Sequence, residues 1–418
     1  MPGLIARDKR RDIERALDLN GCALLTGARQ VGKTRLARML ERDLGHAAIY
    51  RDMQSPKDYA EVEDFETFHS MHRGKLVIID EAQCLPGLFP QLRALLDQSE
   101  GEDSRTRWLL LGSAATELTQ LTSQLVGRIG RVELAGFQLG ELAVDVRGLL
   151  TTDMADAVAG IVEKQGTGID VFAIQQRLWL RGGYPKAYFA DGVENSAVWR
   201  RDYLHSMLDP ASIPQGIVKR PDMVVPVWQY LAINHGKPLV MQSMCERLKC
   251  RKDAAEDILS YLTNMRLIWA LPGWHPNEGK RADQHPCYFI SDSGLLHESW
   301  QVHSDDALAG HKHCGKSWEG FVLAAIRERW NMQASFFYYR DKDQNEVDML
   351  IEFVSGRKWI IEVKLGEDTA PERGFHAIRR KLGPERSIVI NCARESQGEL
   401  KDGIQALTLA DALRLELD

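Results

Sequence analysis

The chain has 418 residues, 44% hydrophobic and 27% charged, enough for two to four globular domains with sizeable cores. Its net charge of −6 excludes a protein that coats nucleic acid through bulk positive charge, though not one with a local basic groove. Seven scattered cysteines without a C-x-x-C pair exclude a disulfide frame and fit a reducing cytoplasm, and no apolar run is long enough to span a membrane.

Residues 5–19, IARDKRRDIERALDL, predict a basic amphipathic helix with Ile5, Ile13, Ala16 and Leu17 as apolar positions. Such a face is either simply solvated or laid against a nucleotide or DNA. The run Cys22-Ala23-Leu24-Leu25 then reads as a strand, and Arg35 to Leu40 as a helix. Between them lies Gly27-Ala28-Arg29-Gln30-Val31-Gly32-Lys33-Thr34, a G-x-x-x-x-G-K-[ST] pattern in the strand–loop–helix context that phosphate binding requires. Consecutive backbone N–H groups of such a loop wrap a β-phosphate, and the helix N-terminus adds positive potential. Lys33 is expected to reach the β- and γ-phosphate oxygens and Thr34 to ligate Mg²⁺. ATP with Mg²⁺ is the ligand pair this implies.

A second strand, Ala47 to Tyr50, precedes an acidic segment of weak periodicity. Leu76-Val77-Ile78-Ile79-Asp80-Glu81 ends an apolar run in two carboxylates, as a buried strand does when it delivers acids at its C-terminal edge. Asp80 is expected to hold Mg²⁺ through water and Glu81 to polarise the attacking water; an exposed acidic turn is the alternative. A helix from about Phe89 to Asp97 follows, then the strand from Trp108 to Leu111, with Gly112 and Ser113 at its end. Ser113 falls where a side chain sensing the γ-phosphate would sit, and equally where a strand ends in a plain Gly-Ser turn. In LVGRIGRVEL, Arg128 is expected either to enter a neighbouring copy's nucleotide site, which implies a homo-oligomer, or to cap a helix C-terminus.

Residues 141–235 have helical spacing broken by Gly182-Gly183-Tyr184-Pro185, a tight turn between helices, and read as a lid beside the nucleotide. Over 236–311 come a helix near Met241–Leu248, the basic turn Lys249-Cys250-Arg251-Lys252, a helix over Ala254–Leu267, and short strands near Ile268–Leu271 and Tyr288–Ile290. That is the order of a winged helix-turn-helix, which makes DNA an expected partner. Glu256 and Asp257 on the second helix suit a packing module as well.

From 312 to 418 the order is helix, three strands, helix, strand. Glu319 shares the apolar face of a helix over Ser317–Trp330 with Leu323, Ile326 and Trp330. Glu346 and Asp348 share one face of a strand, Glu362 and Lys364 one face of the next, and Ser355-Gly356 joins the two in a hairpin. Asp348 thereby comes beside Glu362 and Lys364, where two carboxylates and a lysine can hold Mg²⁺ and activate water for phosphodiester cleavage. A cross-strand salt bridge explains the same residues.

The stretches GARQVGKT, LVIIDEAQ, LLLGSAA, LVGRIGRVEL, RGGYPKAY, FISDSGLL, SWEGFV, NEVDMLIEF and WIIEVK, in that order, resemble a family of bacterial and archaeal AAA-type ATPases. Its members join an archaeal-ATPase-like core to a C-terminal domain of unknown function with a PD-(D/E)xK nuclease-like fold. The resemblance implies an α/β multidomain chain: a P-loop AAA-type core over 1–140, a helical lid over 141–235, a winged-helix-like domain over 236–311 and a nuclease-like α/β domain over 312–418. It implies ATP binding at the P-loop residues with Asp80 and Glu81, and a nuclease-like site at Glu319, Asp348, Glu362 and Lys364. Ser113 stands where many AAA proteins carry a sensor asparagine. The expected function is Mg²⁺-dependent ATP hydrolysis coupled to a DNA-binding C-terminal half, with nucleolysis left open. The alternative is an ATP-gated switch or protein-interaction module on a degenerate nuclease fold.

Overall fold

Runs of Leu, Ile and Val without polar alternation form strands buried on both faces, and such runs build the first sheet of this protein. The computed structural model describes residues 5–98, 106–112, 116–145, 170–213, 216–277, 281, 284–367, 370–400 and 402–416. The chain divides into two units: the first holds residues up to Gly136 together with Asn264–Arg266, and the second takes Phe137–Ala143, the chain from 170 to Thr263, and Leu267 onward.

In the first unit, β1 (Cys22–Thr26), β2 (Ala48–Asp52), β3 (Leu76–Asp80), β4 (Arg107–Leu111) and β5 (Gly130–Glu133) form a parallel sheet in the order β2-β3-β4-β1-β5. All five residues of β3 are buried. β4 lies between β1 and β3, with Leu25 opposite Leu111 and Ile79 opposite Leu110. The loop after β1 and the acids ending β3 therefore emerge at the same C-terminal edge of the sheet, one strand apart, where parallel α/β sheets bind ligands.

Helix α1 (Lys9–Asn20) buries Ile13, Ala16 and Leu17, spaced i, i+3, i+4, and stops at Gly21, whose N–H donates to the Leu17 carbonyl at 2.8 Å. Helix α2 (Lys33–Leu44) starts within the P-loop and buries Leu36, Ala37, Met39 and Leu40. One face of the sheet packs Trp108, Val77 and Leu110 against Phe68, Phe89 and Leu92.

The second unit begins with helices, among them Val171–Arg181, Gly192–Leu208, Met241–Leu248 and Lys252–Asn264. The last of these ends at Asn264, short of the expected Leu267, because Arg266 turns the chain at φ 61 and the Leu267 N–H closes back on the Leu262 carbonyl. Strands β6 (Ile268–Leu271) and β7 (Cys287–Ile290) follow as an antiparallel pair. A six-stranded sheet closes the chain: β8 (Ala334–Arg340), β9 (Glu346–Phe353), β10 (Lys358–Val363), β11 (Arg386–Asn391), β12 (Gly398–Glu399) and β13 (Gln405–Thr408). Their spatial order is β12-β13-β11-β10-β9-β8. β9 and β10 form the expected hairpin, turning at Gly356 with φ 82, and helix Arg373–Leu382 carries the chain across to β11, parallel to β10. Phe375 and Ile378 of that helix pack with Leu350, Ile360 and Val389. Among the described residues no helix is long and apolar enough to cross a membrane.

Candidate functional site

The P-loop is held in shape by backbone rather than by side-chain bulk. Gly27 adopts φ 151, and a Cβ there would lie 2.3 Å from the Leu134 carbonyl oxygen, so only glycine fits the crossing beneath the loop. Arg7, buried ahead of α1, donates from Nη1 to the Val31 carbonyl at 3.0 Å and from Nη2 to the Ala135 carbonyl at 2.7 Å. It ties the loop to the segment after β5. The Lys33 ammonium donates to the Gly27 and Ala28 carbonyls, each at 2.9 Å. Burial lowers the Lys33 pKa to about 8, against the pull of Glu81 and Asp80.

Asp80, buried at the end of β3, is oriented from three sides. The Thr34 hydroxyl donates to its Oδ2 at 2.7 Å, the Tyr50 hydroxyl to the same oxygen at 2.6 Å, and the Glu81 N–H to its Oδ1 at 2.9 Å. Burial and the adjacent Asp80 carboxylate raise the Tyr50 hydroxyl's pKa, so it stays a donor. The Arg38 guanidinium stacks 3.4 Å from the centre of the Tyr50 ring. A hydroxyl and a carboxylate oxygen at 2.7 Å are hard donors of the kind Mg²⁺ takes beside a nucleotide, so these residues fit that ion. Glu81 follows in the left-handed region at φ 49, and the Gln83 amide donates to its Oε2. Gly112, at the end of β4, backs onto that amide: a Cβ on it would lie 2.5 Å from Gln83 Oε1.

Ser113 lies outside the described residues. Arg128 pairs through Nε with Asp97 and donates from Nη1 to the Val126 carbonyl at 3.2 Å; its side chain is 35% exposed. Sequence reasoning missed Arg7, Tyr50 and Gln83. Tyr50 carried a signal, since a polar ring near the end of a strand neighbouring β3 stands beside its terminal acid. Arg7, lost in a basic run, carried none.

The turn at Gly182-Gly183 is bound to the FISDSGLL stretch. Asp292 accepts the Gly183 N–H at 2.7 Å and caps helix Ser293–Ser299 through the Leu295 N–H at 3.0 Å. Gly182 sits at φ 81, and a Cβ on it would lie 2.1 Å from Asp292 Oδ1. A Cβ on Gly294 would lie 2.1 Å from the Arg181 carbonyl oxygen. The two motifs thus meet backbone to backbone, and that contact accounts for their glycines.

In the C-terminal domain the expected acids Glu319 and Glu362 lie within electrostatic reach of Asp348. Asp348 accepts the Val363 N–H at 2.8 Å, and Glu319, Lys316 and Glu362 all lie close enough to act on its charge. Burial, then Glu319, push the Asp348 carboxyl well above the usual range, and burial raises Glu319 as well. Glu362 pairs with Lys364 at 2.6 Å, and Lys364 also holds Glu372 at 2.9 Å. Lys316, absent from the sequence reading though it stands three residues before Glu319 on one helix, meets Glu319 at 2.5 Å. Each acid is already engaged, and among the described residues no three His, Cys, Asp or Glu side chains are grouped as for a metal ion. As it stands, the set does not fit a divalent cation.

Residues 20–143 match the AAA domain family, residues 173–306 a domain of unknown function (DUF8612), and residues 314–412 a domain of unknown function (DUF4143). Uncharacterized proteins of Mycobacterium tuberculosis and of Mycobacterium bovis are each 32% identical over 358 residues, 86% of this chain and 73% of the relative. Among solved structures, the Walker-type ATPase PABY2304 of Pyrococcus abyssi aligns at 16% identity over 72% of this chain and 98% of its own, with a TM-score of 0.48. The RuvB Holliday junction branch migration motor of Thermotoga maritima aligns at 16% identity over 64% and 90%, with a TM-score of 0.32.

Proposed function

This chain belongs to the family that joins an AAA domain to a C-terminal DUF4143 domain, and from that premise we propose that it binds ATP with Mg²⁺ at the P-loop and hydrolyses it. The observation that carries the reading is the Thr34–Asp80 hydrogen bond of 2.7 Å, with Glu81 the next residue along. Gly27 to Gly32 supply backbone N–H groups to the phosphates, and Lys33 exchanges its two carbonyl partners for phosphate oxygens. Thr34 and Asp80 would hold Mg²⁺, which supplies neutralisation of the β- and γ-phosphate charge. Glu81 orients water and takes its proton. Glu81→Gln should keep ATP affinity in a calorimetric titration while slowing phosphate release about a hundredfold or more. Normal turnover in that variant would remove Glu81 from the role.

On the same reading, turnover is coupled to DNA contact in the rest of the chain: a lid over 141–235, a winged-helix-like region over 236–311 and a nuclease-like region over 312–418, in a cytoplasmic protein. The support is the order of elements, helix, turn, helix and antiparallel pair, from Met241 to Ile290. One observation favours the second reading, a protein switch. Basic side chains about the helix Lys252–Asn264 are paired with acids: Lys219 with Asp257 at 3.2 Å, Arg251 with Asp253 at 3.2 Å and Lys252 with Glu256 at 3.5 Å. ATP turnover with and without duplex DNA separates the two readings, since a protein switch ignores DNA. Recovering the DNA intact or cut reads nucleolysis in the same tube.

A further inference from the structure

The acids of the C-terminal sheet carry a cation of their own. Helix Cys314–Trp330 sets Lys316 and Glu319 three residues apart on one face. The Lys316 ammonium lies 2.5 Å from Glu319 Oε2, with the side chains 39% and 13% exposed, so the lysine stem enters from solvent and its charge ends among the acids. Glu346 and Asp348 on β9 lie within electrostatic reach of the same ammonium. One oxygen of each of the other two acids is engaged as well. Asp348 Oδ2 takes the Val363 N–H at 2.8 Å, and Glu362 Oε1 takes Lys364 at 2.6 Å. Glu362 Oε2 is buried and has no hydrogen-bond partner among the described residues.

Mg²⁺ requires near-octahedral oxygen ligands at about 2.1 Å, and Mn²⁺ draws on the same carboxylate oxygens. To enter between Glu319 and Asp348, either ion would have to displace an ammonium from Glu319. We infer that Lys316 is the resident cation of this cluster, occupying the place of the divalent ion that a nuclease-like site would use, so that the domain is charge-compensated without metal. The buried Glu362 oxygen stays without a hydrogen-bond partner with Lys316 in place. This inference is independent of ATP hydrolysis at the P-loop.

The test is Mn²⁺ binding to the full nucleotide-free chain, followed by the paramagnetic resonance of free Mn²⁺ and by thermal melting. Wild type should show no Mn²⁺ site that Asp348→Ala removes. Lys316→Met should gain one, binding Mn²⁺ at least tenfold more tightly than wild type, and adding Asp348→Ala should abolish the gain, which separates this cluster from the P-loop. Lys316→Arg, which keeps the charge, should behave as wild type. If Lys316→Met does not fold, Lys316→Gln, which keeps a donor for Glu319, carries the same expectation. A wild-type site lost in Asp348→Ala, or no gain in the folded Lys316 variants, overturns the inference.

Discussion

Lys33 is expensive to the nucleotide-free chain. Burial brings its pKa from 10.5 to about 8, so between those values the unfolded chain binds the proton that the folded chain has released. Stability contributed by this residue therefore rises as pH climbs from 8 to 10.5, and the full penalty applies below 8. The difference in unfolding free energy between wild type and Lys33→Ala should change in wild type's favour by up to about 3 kcal/mol across that window, measured by denaturant titration. A difference independent of pH would mean the ammonium is not buried in solution. The same residue was legible in the sequence, because a glycine-framed lysine between strand and helix has one dominant use. The Tyr50 hydroxyl on Asp80 was signalled only by its place near a strand end, since a partner across strands depends on register, and the Gln83 amide on Glu81 depends on the turn that follows β3.

At the scale of elements, two contacts join helices of the second unit. Gly182 meets Asp292 so closely that Gly182→Ala must either push away the carboxylate capping helix Ser293–Ser299 or strain a backbone at φ 81. That substitution should destabilise the protein by more than about 2 kcal/mol in denaturant, far beyond an ordinary Gly→Ala change. A neutral result would show that the turn relaxes freely. The second contact joins helix Ser293–Ser299 to helix Cys314–Trp330. Trp179 Nε1 donates to Ser317 Oγ at 3.0 Å, and Ser317 Oγ stands 2.6 Å from His297 Nε2, whose Nδ1 lies 3.0 Å from the Leu180 carbonyl. Nδ1 must donate there, and in the neutral ring that burial favours Nε2 is the acceptor. Burial holds His297 and His235 near a pKa of 3, well below 6.5. The unfolded chain thus takes up these protons first as pH falls, and stability is whole above 6.5 and lost toward 3. Each histidine should contribute a slope of about 1.4 kcal/mol per pH unit within that window. His297→Gln should make the acid limb of the stability curve shallower, and an unchanged slope would count against a buried neutral ring.

At the scale of the whole molecule, the expected arginine supplied by a second copy rests on Arg128. Arg128 reaches Asp97 of its own chain, on the last turn of helix Leu88–Gln98, while keeping 35% of its side chain exposed. If it acts on a neighbour's γ-phosphate, Arg128→Ala should lower turnover at least tenfold with ATP affinity unchanged. Mixing that variant with Lys33→Ala should restore part of the activity, because each chain supplies what the other lacks. A monomer at every ATP concentration, or no rescue on mixing, would assign Arg128 to its ion pair with Asp97.

The sequence by itself determined the strands β1 to β4, the loop between Gly27 and Thr34, the acids at positions 80 and 81, and the β9–β10 hairpin that brings Asp348 to β10. These follow from local period and from glycine, and short-range rules suffice for them. Tertiary structure decided that Thr34 and Tyr50 occupy Asp80, and that the locally placed Lys316 and Lys364 settle on Glu319 and Glu362 among the other acids. The physical reason is that a buried charge takes whichever partner packing delivers within hydrogen-bond reach. A pattern that lines acids along one face is the same whether a metal ion or a lysine comes to meet them.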